Sequence, residues 1–148
     1  MGSTLHAFTF YSVEGDYSPQ IYFENDEGYE ITYGNWFYIH TIIEFGNFLL
    51  GTDIYLPSYN WLDDAESVKG KGMELVRPQE FVKICQAVIE NITTLLDTEN
   101  PLCDGEDWYL YDSNRKESFA EQKENILYYA EKLLTWAKKG LYFVSERD

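Results

Sequence analysis

Residues 20–50 read QIYFENDEGYEITYGNWFYIHTIIEFGNFLL, and this stretch decides the fold class. Its first part reads as strand: residues 20–23 and 29–33 are short runs rich in aromatic and β-favouring side chains. The acidic tip Glu24-Asn25-Asp26-Glu27-Gly28 separates them. Its second part reads as helix. Asn35 is placed to cap a helix beginning at Trp36, and Gly51 is placed to end it after Leu50. Trp36, Phe37, Ile39, Ile43, Phe48 and Leu50 cover most of that helix's circumference. A helix apolar nearly all round is buried on more than one side, so this is the expected central helix.

Toward the N-terminus, residues 7–13 (AFTFYSV) read as another strand, closed by the turn signals Glu14-Gly15-Asp16 and Ser18-Pro19. The three runs together predict a small antiparallel meander. Toward the C-terminus, residues 52–72 are irregular, and a loop that long is uncommon unless it is functional or hides a short element. Residues 54–56 or 59–62 are candidates for that element, and residues 73–76 for a short strand. Pro78 suits a first helical position, and Phe81, Ile84, Cys85, Val88, Ile92, Leu95 and Leu96 recur at helical spacing through residue 97. An acidic loop at 98–107 and an extended segment at 108–111 precede a last helix over residues 116–139, stopped by Gly140. Residues 141–144 are placed to return as a strand. The expected fold is α+β: a small N-terminal antiparallel sheet, joined by the C-terminal strand and packed on three helices, as one domain over 1–148.

Charge is distributed unevenly. The first 68 residues contain no lysine or arginine, yet they carry eleven acids, among them Glu14, Glu44 and Asp53. Random placement of the cations would do this about one time in a thousand. With a net charge of −15 and all eleven cations from Lys69 onward, the N-terminal half builds a field of one sign. Such a field selects a cationic partner and rejects nucleic acid. Eight of the thirteen tyrosines share the segment: Tyr11, Tyr17, Tyr22, Tyr29, Tyr33, Tyr38, Tyr55 and Tyr59. Tyrosine supplies rigid apolar contact area with a polar handle, the currency of interface hot spots. The plainer account is that alternate tyrosines cover a half-exposed sheet.

Catalytic and metal motifs are not discernible. An EF-hand loop needs glycine at its sixth position, and counting back from Gly28 puts Phe23 first, while counting back from Gly105 puts Asn100 first and Leu102 third. Two cysteines and two histidines at scattered spacings serve zinc poorly. No nucleophile elbow or phosphate-binding loop occurs. His40 and Glu44 lie one helical turn apart, which would suit a base and its orienting carboxylate; a core-edge histidine satisfied by a nearby acid is the favoured reading. His6 precedes the first predicted strand without a visible partner. No metal or cofactor is expected. Cys85 falls on an apolar helical stripe and Cys103 in a polar loop, which is no disulfide framework. No segment has signal-peptide character or approaches the roughly 18 apolar residues of a membrane span, so a cytoplasmic protein is expected.

The expected function is that of an acidic binding or inhibitory domain for a basic protein partner, such as a toxin or a nucleic-acid-binding protein. Occluding a nucleic-acid-binding cleft requires negative charge presented in a defined shape. The residues expected to carry the contact are Glu24, Asp26, Glu27, Tyr29 and Glu30 at the hairpin tip, with Asp63 and Asp64 as a second patch. A small enzyme with its site near His40 and Glu44, a DNA mimic with an elongated acidic stripe, and a structural subunit are the competing readings.

Overall fold

The computed structural model describes residues 3–24, 30–31, 36–94 and 117–147. In chain order it contains β1 (Ser3–Phe8), β2 (Phe10–Glu14), β3 (Gln20–Glu24), β4 (Glu30–Ile31), α1 (Trp36–Leu50), β5 (Ser58–Asn60), α2 (Ala65–Lys71), α3 (Pro78–Ile92), α4 (Phe119–Lys138) and β6 (Tyr142–Arg147). The fold is α+β as expected, and the C-terminal strand does enter the sheet.

The arrangement of strands departs from a meander. A four-stranded sheet has the order β4-β1-β6-β5, and β2 and β3 form a separate two-stranded sheet. β1 runs antiparallel to β6 from Ser3↔Arg147 to Phe8↔Tyr142 and also pairs with β4, whereas β5 and β6 are parallel. The expected strand over 7–13 therefore breaks at Thr9, because its two halves belong to different layers. The physical reason lies on the second face of the large sheet. His6 and Phe8 project there, and the β2–β3 hairpin folds over them instead of extending the sheet. The Phe23 ring stacks on His6 at 4.5 Å and meets Phe8 at 5.0 Å. His6 thus lies within β1, not ahead of it, with its Nε2 3.3 Å from the Glu146 carboxylate.

The opposite face of the sheet packs on the helices. Leu5, Ala7 and Phe143 join Ile39, Ile42, Phe81, Ile84 and Trp136 in one core. Phe143 is held edge-on by Phe81 at 5.1 Å. Covered on both faces, β6 buries Phe143, Val144 and Ser145 in succession, the pattern of an interior strand.

Helix α1 spans the predicted residues, and α3 begins at Pro78 as expected. α4 begins at Phe119 rather than residue 116, because Ser118 accepts the Glu121 N–H at 3.2 Å. Ser118-x-x-Glu121 is a capping-box sequence. Gly140 ends α4, with the Leu141 N–H donating to Trp136 O at 3.3 Å. α3 ends at Ile92, short of the predicted residue 97, with Thr93 and Thr94 in a turn; residues 95–97, the segment 108–111 and Cys103 lie outside the described residues.

Residues 52–72 conceal two elements. β5 overlaps the candidate at 59–62, and α2 is a fourth, short helix that packs Ala65 and Val68 against Ile21 of β3. Residues 54–56 and 73–76 are not strands. Two tyrosine hydroxyls hold the latter segment instead: Tyr11 accepts the Met73 N–H at 2.9 Å and Tyr59 accepts the Glu74 N–H at 2.7 Å. Burial raises the Tyr59 pKa, partly offset by its backbone hydrogen bond.

Candidate functional site

Among the described residues of the N-terminal half, two surfaces present exposed aromatic side chains together with carboxylates. The first is the outer face of the β2–β3 hairpin. Alternation sends Tyr11, Val13, Ile21 and Phe23 inward, where they pack, and leaves Phe10, Ser12, Glu14, Gln20, Tyr22 and Glu24 outward. The register places Phe10 opposite Glu24, Ser12 opposite Tyr22 and Glu14 opposite Gln20. Phe10 and Tyr22 are therefore diagonal neighbours, both exposed and flanked by exposed Glu14 and Glu24. Tyr22 donates to the Gln20 Oε1 at 2.7 Å. The face contains no cation of its own; Lys69 reaches only its turn, 3.4 Å from Gly15 O.

The predicted contact residues fall into different situations. Glu24 belongs to this outer face. Asp26, Glu27 and Tyr29 lie outside the described residues, and Glu30 is described only as a backbone position of β4, opposite His6. Asp63 is exposed in the turn after β5. Asp64 is already committed: its Oδ2 accepts the Asn60 N–H at 2.7 Å and lies 3.2 Å from the Arg147 guanidinium. The turn at 61–64 touches the start of β3, where the Ile21 N–H donates to Trp61 O. Glu24 is three residues further along, about 10 Å at the usual strand rise.

The tyrosines divide in the same way. Tyr11, Tyr38 and Tyr59 are structural; Tyr38 donates to Glu117 at 2.5 Å and accepts from Asn125 at 3.1 Å, tying α1 to α4. Tyr17, Tyr22 and Tyr55 are exposed. Tyr29 and Tyr33 lie outside the described residues.

The second surface is an open groove of about 440 Å³ between α1 and the segment that follows it. His40, Glu44, Asn47 and Phe48 supply one wall, and Thr52, Asp53 and Tyr55 the other. Gly51 turns the chain back with a φ of 64°, a left-handed conformation glycine adopts without strain. Asn47 then fixes the returning segment: its Nδ2 donates to Ile54 O at 2.7 Å, and its Oδ1 accepts from the Thr52 hydroxyl at 2.8 Å and the Ile54 N–H at 2.9 Å. His40 is exposed, not a core-edge histidine, and no hydrogen bond joins it to Glu44. Phe48 and Leu50, expected in the core, are exposed at the end of the helix.

Asn47→Ala is expected to destabilise the fold by about 1–3 kcal/mol, the cost of leaving part-buried backbone groups without their partner. Amide exchange at Ile54 should accelerate in parallel; unchanged protection there would contradict the clamp.

Among the described residues, no three His, Cys, Asp or Glu side chains gather as a metal-binding group, and no helix is long and apolar enough to cross a membrane. Compared with known protein families, with curated proteins and with solved structures, the chain matches none of them.

Proposed function

We propose that this chain is an acidic binding protein, inhibitory in role, that engages a basic protein partner through its N-terminal half. The observation that carries this reading is the outer hairpin face: Phe10 and Tyr22 exposed together, bordered by Glu14 and Glu24, within 68 residues devoid of lysine and arginine. Exposed aromatics in a packed protein supply the desolvated centre of an interface, while the surrounding carboxylates steer the partner and raise its association rate. In sequence, Glu24 is followed by the acidic residues Asp26, Glu27 and Glu30 and by Tyr29, on the segment that leads from β3 to β4 of the other sheet and not on a hairpin tip. A partner whose function is to bind nucleic acid offers the complementary charge, and covering its cleft would inhibit it.

Capture from the native lysate at about 50 mM salt, where exposed charges are weakly screened, tests the proposal. The expected result is a basic protein eluted by a salt step and lost when Glu14, Glu24, Asp26, Glu27 and Glu30 are replaced by their amides. Tyr22→Ser should instead shorten the lifetime of the complex while preserving its salt dependence. A captured protein indifferent to both sets of substitutions would overturn the proposal, as would a column that retains no basic protein.

A further inference from the structure

We propose that the groove between α1 and residues 52–56 is a second docking site, shaped for a basic amphipathic segment of a partner protein. This deepens the basic-partner reading and rests on it, but it uses a surface that the hairpin face does not include.

Three features of the groove converge on that occupant. Phe48 and Tyr55 line it and remain about half in solvent, at 54% and 52% of their full exposure, although both are large side chains next to a concavity. Apolar side chains left exposed around a cleft mark an interaction surface better than isolated ones do. Glu44 and Asp53 line the same groove, and no lysine or arginine does, in a chain with a net charge of −15. The groove's volume of about 440 Å³ is within the range that side chains or small ligands fill. A segment placing lysine or arginine near Glu44 and Asp53, with an adjacent apolar side chain against Phe48 and Tyr55, satisfies both halves of this lining. An arginine has the further option of lying over either ring. Nucleic acid, phosphopeptides and anionic lipid headgroups carry the wrong charge. Asn47 holds the second wall before any partner arrives, so little ordering entropy opposes binding.

The test is an amide chemical-shift titration of the isotopically labelled full chain with two probes. One is an amphipathic lysine–leucine helical peptide; the other is a lysine–glycine peptide of equal charge without apolar groups. The expected result is that only the first shifts the amides of His40, Glu44, Asn47, Thr52 and Asp53. Phe48→Ser should weaken that binding about tenfold or more, the loss typical of a contact at the centre of an interface. Tyr55→Ser provides an independent variant at an equally exposed position, and Asp53→Asn should reduce the salt dependence. Shifts from both peptides at Tyr22 and Glu24, with the groove silent, would overturn the groove and leave the basic-partner reading standing. Silence with both peptides would overturn the groove and count against that reading as well.

Discussion

Gly46→Val is expected to destabilise the fold by about 3 kcal/mol, the upper end of the usual cost of overpacking. In a chain of this size, that lowers the melting midpoint by roughly 6–12 °C. The cause is the close approach of α1 and α3. A Cβ at position 46 would stand 2.5 Å from the Ile84 Cγ2, 3.1 Å from its Cδ1 and 3.1 Å from its carbonyl oxygen. Ile84 cannot swing aside easily: it is fully buried, its β-branched χ1 is stiff within a helix, and the carbonyl is backbone. Gly46→Ala meets the same atoms with less bulk and gains about 1 kcal/mol of helix propensity, so its net loss is smaller. Ile84→Ala removes the offending methyl and costs about 2–5 kcal/mol alone. In that background, Gly46→Ala should cost less than it does in the parent, because only the carbonyl contact at 3.1 Å remains. Thermal unfolding of the four combined variants measures this coupling. Additive losses would show that the Ile84 side chain is not what an added Cβ meets, and a Gly46→Val protein that melts like the parent would show that the helices separate without cost.

That glycine also illustrates what the sequence could not disclose. The span of α1 was legible because a continuous apolar run ends at Gly51, and the start of α3 because Pro78 opens a regular stripe. The return of β6 followed from Gly140 and the apolar residues after it. Which helix face meets which neighbour was not legible, since position 46 reads only as a gap in an apolar run. Strand topology failed for a similar reason. Residues 7–13 contain no Gly or Pro, and nothing local separates Phe8, buried under the hairpin, from Phe10, exposed on its outer face. That difference is set by tertiary packing across β6 and β3. α2 is not legible in the sequence because seven residues with two buried positions are too short to show a period.

The candidate surfaces were half legible. The charge asymmetry pointed to the N-terminal half, and Glu24 proved to lie on an exposed face beside Tyr22. Asp64 reads as an ordinary surface acid until Asn60 and Arg147 are seen to occupy its carboxylate. The groove depended on Asn47 folding residues 52–54 back onto α1, a side-chain contact that composition does not encode.

Alkaline pH should destabilise the protein through Cys85 well before general denaturation. The thiol is almost completely buried in the α3 stripe, and desolvation of the thiolate pushes its pKa from 9.0 up to about 12. For a group whose folded pKa is raised, the unfolded chain releases its proton first. The contribution to stability is therefore fully present below pH 9 and is lost as pH rises toward 12. The loss is about 1 kcal/mol at pH 10 and grows by roughly a further 1.4 kcal/mol per pH unit until the folded thiol itself ionises. Tyr59 and Tyr129 are shifted in the same direction by burial, so a slope in the parent protein alone would not identify the thiol. The discriminating measurement is urea unfolding at pH 8 and pH 10, with Cys103→Ser as the common background, with and without Cys85→Ala. The tyrosines contribute equally to both proteins, and the alanine variant should lose about 1 kcal/mol less between the two pH values. Parallel curves would mean that water reaches the thiol, and with it that the α1–α3 seam is open at Cys85. Closure at Gly46 and dryness at Cys85 are thus two readings of the same seam, one steric and one electrostatic. If the first holds, the second is the stricter test, because a single water molecule reaching the thiolate would lower its pKa even where a methyl group does not fit.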